Sequence, residues 1–367
     1  MHPLAVQHLS ALIEFRHWLD GSHLAEVLSL YEPYGEEERE AVIRRDAAFL
    51  PEPLASLTRY FVLGDKLAEE QLDSHLPAAI RETIACLGLD FARHRLIRHL
   101  DLWIFCERLT PAVDLYHGDD SSGLSRLMLP GRGRSLDLCA GVGTQGLLCA
   151  QTAESVVAVE KQEKARLFFW LNAVVNGMHD RVEFRQGDFV DAVADERFDH
   201  IVCNPPLLPV PRDVAYPLAG HGGPDGQDFT RRLLSALPEL LNAGGRCHII
   251  GTMLGGPLGP DLQDWEDAAK SAQIDLLAIL PFRSSMLSPS APMFQSLVSS
   301  AVLYGERQGS DPAVVRPQVE ESYRRHFRET GATHFYSYLL CATRRTGSRG
   351  VFRFTRQFME SRWMWTR

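Results

Sequence analysis

The pattern of apolar residues changes character near residue 110. Up to that point apolar residues recur with helical spacing, and segments 9–19, 24–30 and 76–87 each predict an amphipathic helix. A mixed apolar and basic stretch at 93–109 then predicts one or two strands. Helices followed by a β-ribbon are typical of a winged-helix-like module. We therefore predict a smaller, mainly helical, winged-helix-like domain at residues 1–110.

From residue 135 onward, short apolar runs alternate with helical segments. The runs predict strands at 135–139, 156–159, 182–184, 198–203, 246–250, 276–280 and 334–343. Alternation at this spacing indicates parallel βαβ units with helices on both faces of one sheet. The prediction for residues 111–367 is therefore an α/β fold, a Rossmann-like, doubly wound sheet of seven strands.

Composition narrows the class of protein. The 367 residues carry a formal net charge of −9. Proteins that bind long nucleic acids usually present a basic face, so this charge argues mildly against a long nucleic acid as the partner. The seven cysteines are scattered without paired spacing, which predicts reduced thiols rather than disulfides or a metal site. The sequence shows neither a signal-peptide pattern nor an apolar run of membrane-spanning length. We therefore expect a soluble, cytoplasmic protein that binds neither metal nor membrane.

A glycine-rich loop and three acidic residues follow successive predicted strands. The loop at 140–144 links a strand to a helix, where glycines allow a ligand to approach backbone N–H groups. By itself it fits a dinucleotide site or a plain turn equally well. Asp137, Glu160 and Asp188 lie at three strand ends, with Phe189 beside the last. Any one acid fits a helix cap or a solvated charge, but together they favour a nucleoside that carries an amino acid.

Asn204, Pro205 and Pro206 follow the fourth predicted strand. Proline fixes φ and lacks an N–H, so this turn is rigid and exposes mainly acceptors, the Asn204 amide oxygen and nearby carbonyls. Acceptors suit a ligand that donates hydrogen bonds, such as an –NH2 group. The turn therefore indicates chemistry on nitrogen.

With these motifs, residues 113–345 resemble the class I S-adenosylmethionine-dependent methyltransferases. The Asn-Pro-Pro turn is similar to that of the branch that methylates planar nitrogens. Segment 223–234 is close to the one found in protein-glutamine methyltransferases that modify translation release factors. Small rRNA guanine methyltransferases share the core. The resemblance implies S-adenosylmethionine as cofactor and an N-terminal module that holds the substrate.

The resemblance also implies roles for individual residues. Asn204 and the Pro205 carbonyl would hold and orient the acceptor –NH2, with Pro206 completing the turn. Ser121 and Ser122 would contact the cofactor carboxylate, although capping a helix near Gly123 explains them about as well. The remaining cofactor contacts would be Asp137, Gly141 and Gly143 at the methionine part, Glu160 at the ribose, and Asp188 with Phe189 at the adenine. Thr144 and Asn204 would also contact the cofactor.

The chain departs from the family at Leu207, where most members have Tyr or Phe after the two prolines. Leucine offers no π face, which disfavours a nucleobase acceptor. Tyr216 and His221 lie on a loop that could cover the substrate, although a satisfied or solvent-facing histidine is the commoner case. The prediction is N-methylation of a carboxamide or amino group on a protein, peptide or peptide-derived metabolite. Two alternatives remain. The acceptor could be an exocyclic amine of an RNA base, or the chain could be a non-catalytic methyltransferase-like binding protein.

Overall fold

The N-terminal segment consists of short helices followed by one hairpin. The computed structural model describes residues 8–32, 34–110, 113–286, 288, 290–345, 347, 350–355 and 359–360. Its first six helices are α1 Leu9–Gly21, α2 Leu24–Ser29, α3 Glu36–Asp46, α4 Leu54–Thr58, α5 Glu69–His75 and α6 Ala78–Cys86. An antiparallel hairpin of β1 His94–His99 and β2 Leu102–Glu107 follows. The predicted order of helices and then a ribbon is confirmed.

The rest of the chain forms one large sheet covered by helices. Its strands are β3 Arg134–Leu138, β4 Ser155–Glu160, β5 Val182–Gln186, β6 Phe198–Cys203, β7 Leu241–Gly255, β8 Ile274–Ser285, β9 His334–Arg344, β10 Phe352–Phe354 and β11 Met359–Glu360. The helices are α7 Asp119–Leu127, α8 Thr144–Ala150, α9 Ala165–Val175, α10 Asp228–Leu240, α11 Gln263–Ala272, α12 Pro292–Arg307 and α13 Pro312–Thr330. The strand order is β10-β8-β9-β7-β6-β3-β4-β5, and only β9 runs antiparallel to its neighbours. The α/β Rossmann-like class is confirmed.

The sheet differs from the prediction at its β8 edge. It has nine strands rather than seven, because β10 and β11 both pair in parallel with β8. These strands are three and two residues long, too short to leave a period-2 pattern in the sequence. The fifth predicted strand also begins earlier, at Leu241 rather than at residue 246, because residues 242–245 form an irregularity inside β7.

The N-terminal segment and the sheet domain share one apolar core. Phe15 of α1, Phe105 of β2 and Phe169 of α9 belong to the same cluster of buried side chains. Two asparagines of α9 add polar contacts to the hairpin. Asn176 accepts from the Trp103 N–H at 2.9 Å and donates to its carbonyl at 2.7 Å. The domain division at residue 110 stays a prediction, but the apolar packing continues across it.

Asn172 joins the hairpin to the glycine-rich loop. It is fully buried; its Oδ1 accepts from the Phe105 N–H at 2.8 Å, and its Nδ2 donates to the carbonyls of Phe105 and Val142 at 3.0 and 2.9 Å. Because Val142 lies in the loop that precedes α8, one side chain positions both the hairpin and the loop.

Replacing Asn172 with alanine is expected to lower the free energy of unfolding by about 3 kcal/mol, because it leaves buried backbone groups without partners. Urea unfolding measures the loss. Asn176→Ala is the comparison, and its cost should be smaller because Asn176 is only partly buried and water can replace it. Equal stability of Asn172→Ala and the wild type would contradict the role given to Asn172.

Candidate active site

A cleft of about 120 Å³ opens at the carboxyl ends of β3, β4 and β6; we call it the strand-end cleft. Strand β3 lies between β4 and β6, and from it the chain builds outward first through β4 and β5 on one side and then through β6 and β7 on the other. Open α/β sheets bind ligands at such a switch point. The cleft is lined by predicted site residues Ser121, Gly141, Thr144, Glu160, Asp188, Phe189, Asn204, Pro205 and Pro206.

The glycine-rich loop brings backbone close to this cleft. Gly141 and Gly143 have φ of +51° and +94°, values that side-chain-bearing residues rarely adopt. A Cβ on Gly143 would also stand 2.7 Å from the Phe169 ring, whereas a Cβ on Gly141 would meet open space. Gly143 is therefore required by packing against α9, and Gly141 by its backbone conformation.

Glu160 fixes the loop from the end of β4. Its carboxylate is largely buried, Oε2 accepts from the Gly141 N–H at 3.0 Å, and Oε1 accepts from the Gln162 N–H at 2.8 Å. Each carboxylate oxygen has a second lone pair. Glu160 can therefore hold the loop and still accept hydrogen bonds from a ligand in the cleft.

Asp188 and Phe189 form the far wall of the cleft. Asp188 accepts from Lys161 Nζ at 3.0 Å, and its other oxygen lies 3.9 Å from the Arg232 guanidinium. Phe189 is buried with φ of +53°, and its ring meets Phe229 edge-on at 5.1 Å between centroids. This wall offers a flat apolar group beside a carboxylate, as the sequence predicted. It also brings the cations of Lys161 and Arg232 to that carboxylate, which the sequence did not predict.

Asp137 lies behind the cleft rather than in it. It is buried, and its Oδ2 accepts from the Gly146 N–H at 2.7 Å in the first turn of α8, the contact of a helix cap. Burial raises the pKa of Asp137 to about 8, which the Gly146 hydrogen bond only partly offsets. Its contact with a cofactor remains a prediction.

Ser122 also lies outside the lining of the cleft. A buried histidine that the sequence reading missed, His117, contacts the Ser122 hydroxyl at 3.2 Å through Nε2 and the Thr144 hydroxyl at 3.0 Å through Nδ1. His117 thus ties α7 to the start of α8. Both predicted serines belong to α7, but only Ser121 reaches the cleft.

The Asn204 side chain is held in one orientation. Its Nδ2 donates to the Ser121 hydroxyl at 3.1 Å and to the Asp120 carboxylate. Its Oδ1 is buried and has no hydrogen-bond partner among the described residues. Buried polar atoms are normally paired. The arrangement therefore leaves one strong acceptor at the Asn-Pro-Pro turn for a ligand that donates.

A larger space of about 660 Å³, the outer chamber, adjoins the cleft. Tyr116, Asp120 and Ala219 line both spaces. The predicted substrate residues Leu207 and Tyr216 line the outer chamber, together with Glu40, Ala41 and Arg44 of α3, and Met293, Ser296, Ser299 and Ser300 of α12. The N-terminal segment therefore supplies one wall of this chamber.

His221 is the predicted substrate residue that lies outside both spaces. Its Nδ1 accepts from the Gly223 N–H at 3.4 Å within its own loop, and its backbone bridges to Leu208. The structure thus gives His221 a contact within its own loop, which fits the interpretation of this residue as a satisfied histidine without a role at the substrate.

Several residues of the two spaces were missed by sequence reasoning. Asp120 directly precedes Ser121 in α7, but only Ser121 and Ser122 were predicted to contact the cofactor. Tyr116 packs so closely on Gly118 that a Cβ there would lie 2.0 Å from the phenol oxygen. Glu40 and Arg44 belong to a charged helix face that resembles an ordinary solvated surface, so no local signal marks them.

The family comparison agrees with this geometry. Residues 122–252 match the family model described as methyltransferase small domain. The predicted family resemblance is confirmed. The matched segment contains the glycine-rich loop, the three acids of the strand ends and the Asn-Pro-Pro turn.

Curated relatives match part of the chain. The ribosomal protein uL3 glutamine methyltransferase of Bordetella pertussis is 34% identical over 164 residues, 39% of this chain and 53% of the relative. The release factor glutamine methyltransferase of Geobacter sulfurreducens is 35% identical over 121 residues, 30% of this chain and 42% of the relative. The chain thus spans about half or less of the length of these relatives.

A solved structure, a putative transferase from Pyrococcus horikoshii, covers 84% of this chain and 100% of its own at 13% identity and a TM-score of 0.40.

Within the described residues no helix has the length and apolarity to cross a membrane. The same residues contain no group of three or more His, Cys, Asp or Glu side chains arranged to hold a metal ion.

Proposed function

We propose that this chain is an S-adenosylmethionine-dependent N-methyltransferase whose acceptor is a side-chain carboxamide of a protein. The observation that carries the proposal is the buried, unpartnered Asn204 Oδ1 on the wall of the strand-end cleft. The relatives that modify glutamine in ribosomal protein uL3 and release factors support the amide as the acceptor.

The strand-end cleft suits the cofactor. Its Gly141 backbone faces open space, Glu160 offers spare carboxylate lone pairs, and Phe189 offers a flat apolar face beside Asp188. These are the groups that an amino acid, a ribose and a purine would need in turn. When bound, S-adenosylmethionine supplies a methyl group on a sulfonium, so the protein has no need to activate the methyl.

The protein's task is to prepare the acceptor nitrogen. The lone pair of an amide nitrogen is delocalised into its carbonyl, which makes the nitrogen a poor nucleophile. Asn204 Oδ1 can accept one N–H of the amide and the Pro205 carbonyl the other, which biases nitrogen toward sp³ and aims its lone pair. The Ser121 and Asp120 contacts to Nδ2 prevent the Asn204 amide from turning its donor side to the acceptor.

The charge of the outer chamber favours protein over RNA. Its lining has three carboxyl groups, those of Glu40, Asp119 and Asp120, and one guanidinium, that of Arg44. Arg44 is paired with Asp65 at 3.1 Å and with Glu40 at 3.5 Å. Arg108 also pairs with Glu40, so the acidic character of the lining rests on Asp119 and Asp120. Proteins that bind RNA neutralise phosphates with cations. An acidic chamber would repel a phosphate backbone and admit a neutral amide side chain.

Leu207 gives a direct test of acceptor size. Its side chain is buried against Leu124, Ile250 and Leu339, and it also lines the outer chamber. We expect Leu207→Tyr to lower methyl transfer and to reduce the free energy of unfolding by about 1–3 kcal/mol, because the ring overpacks this cluster. Leu207→Met conserves volume and should retain both. A tyrosine variant that is more active, and active on RNA, would instead favour a stacked nucleobase.

The proposed function is tested by incubating the protein with methyl-labelled S-adenosylmethionine and a cell extract. The products are then treated separately with protease and with ribonuclease. Label that becomes soluble only after protease treatment supports a protein acceptor. Label released by ribonuclease would overturn it in favour of RNA, and the absence of label in every fraction would favour a binding protein.

A further inference from the structure

Asp120 occupies the junction of the two spaces. It lies in the first turn of α7, its residue is only 7% exposed, and it lines both the strand-end cleft and the outer chamber. The other residues shared by the two spaces are Tyr116 and Ala219. Asp120 is therefore the carboxyl group at the passage through which the cofactor's methyl and the acceptor would meet.

The hydrogen bonds of Asp120 leave one oxygen available. The Tyr116 and Asn204 side chains lie near enough to the Asp120 carboxylate to lower its pKa by hydrogen bonding, although burial outweighs them and raises it. Oδ1 nevertheless has no hydrogen-bond partner by geometry among the described residues. An unpaired carboxylate oxygen in a buried position is costly unless something occupies the space it faces.

Asp120 and Asn204 therefore present two unpartnered oxygens on adjoining side chains. With Asn204 Oδ1 and the Pro205 carbonyl accepting the two hydrogens of the acceptor –NH2, Asp120 Oδ1 is a further oxygen beside Asn204, able to take the proton that the nitrogen loses once it is methylated. The two oxygens differ in chemistry, since an amide oxygen can hold an N–H but cannot remove its proton at neutral pH, whereas a carboxylate can. Burial raises the pKa of Asp120 above the usual carboxyl range, which makes its carboxylate a stronger base.

We propose, resting on the proposed function, that Asp120 is the catalytic base that removes the proton from the methylated acceptor nitrogen. The nitrogen lone pair forms the N–CH3 bond while the S–CH3 bond breaks and its electron pair stays on sulfur. The nitrogen is then cationic and carries two hydrogens. One proton passes to Asp120 Oδ1, the nitrogen pair returns to the amide, and Asp120 later releases the proton to water.

The test compares Asp120→Asn with the wild type, using the blocked peptide acetyl-Ala-Gln-Ala-amide and, in parallel, the extract protein labelled by the wild type. Asp120→Asn should lower kcat by about a hundredfold or more, the usual contribution of a positioned base. Its affinity for S-adenosylhomocysteine, measured by calorimetry, should stay close to that of the wild type. Asp267→Asn, an exposed change on α11, is the matched control and should behave as the wild type.

The pH profile separates a base from a structural residue. The active form is the carboxylate, so wild-type kcat should rise as pH increases through the Asp120 pKa, and this limb should be absent in Asp120→Asn. The groups that share the two spaces with Asp120 and titrate or carry charge there are Glu40, Arg44, Asp114, Tyr116, Asp119, Cys139, Glu160, Lys161, Asp188 and Tyr216. They remain in the variant, so any acid limb that they cause would persist.

The outcomes are distinct for the two claims. A wild type that methylates neither probe would refute the proposed function, and the role of Asp120 with it. A wild type that is active while Asp120→Asn keeps its rate, or keeps the acid limb unchanged, would refute the base alone. If Asp120→Asn lost as much affinity for S-adenosylhomocysteine as it lost in kcat, Asp120 would serve the cofactor instead.

Discussion

Asn204→Ala is expected to lower kcat by about 10²–10³-fold, because it removes an acceptor that is fixed in place for a nitrogen developing positive charge. Cofactor affinity should fall far less, since the unpartnered Oδ1 is proposed to hold the acceptor and Nδ2 is engaged by Ser121. Methyl transfer under saturating cofactor and calorimetry with S-adenosylhomocysteine give the two quantities.

Asn242→Ala is the matched control for this change. Asn242 lies beside the first residues of β6, at the opposite end of the strand that Asn204 follows, and it donates to Asp199 at 2.9 Å. Its loss should cost some stability and leave kcat unaltered. Equal losses of turnover and cofactor affinity in Asn204→Ala would contradict the role given to Asn204.

Glu160→Ala should weaken cofactor binding by about 1.5–3 kcal/mol, the value of charge-assisted hydrogen bonds that are lost together. The structure adds a second reason, because the Glu160 carboxylate also holds the Gly141 and Gln162 N–H groups at 3.0 and 2.8 Å. Calorimetry with S-adenosylhomocysteine measures the loss.

Glu163→Ala provides the comparison for Glu160. Glu163 is an exposed acid three residues further on whose partner is Arg166, at 2.9 Å. Its removal should leave cofactor affinity unchanged. If Glu160→Ala bound the cofactor as tightly as Glu163→Ala, the ribose would have to lie elsewhere.

The sequence predicted the sheet well because its central strands are buried on both faces and are read as short apolar runs. The same reasoning placed Glu160, Asp188 and Asn204 together, since the carboxyl ends of neighbouring parallel strands share one edge. It did not predict β10 and β11, whose pairing depends on tertiary contact with β8 rather than on local pattern.

The acceptor side of the site was harder to predict. Glu40 and Arg44 come from a helix about 160 residues before the Asn-Pro-Pro turn, and only folding brings them to the same chamber. Asp137 has a contact that its position at a strand end did not predict, because its side chain caps α8. Spacing predicts which edge of the sheet a residue reaches, but not which way its side chain turns.

The most direct test of the account identifies the atom that receives the methyl group. Extract protein that becomes labelled in the presence of this chain is digested, and the labelled peptide is sequenced by fragmentation mass spectrometry. A second portion is hydrolysed in strong acid. The account predicts a methylated glutamine or asparagine whose label is released as methylamine, because acid cleaves the C–N bond of an N-methyl amide. Label that survives hydrolysis on lysine or arginine, or that is found on a nucleoside, would contradict it.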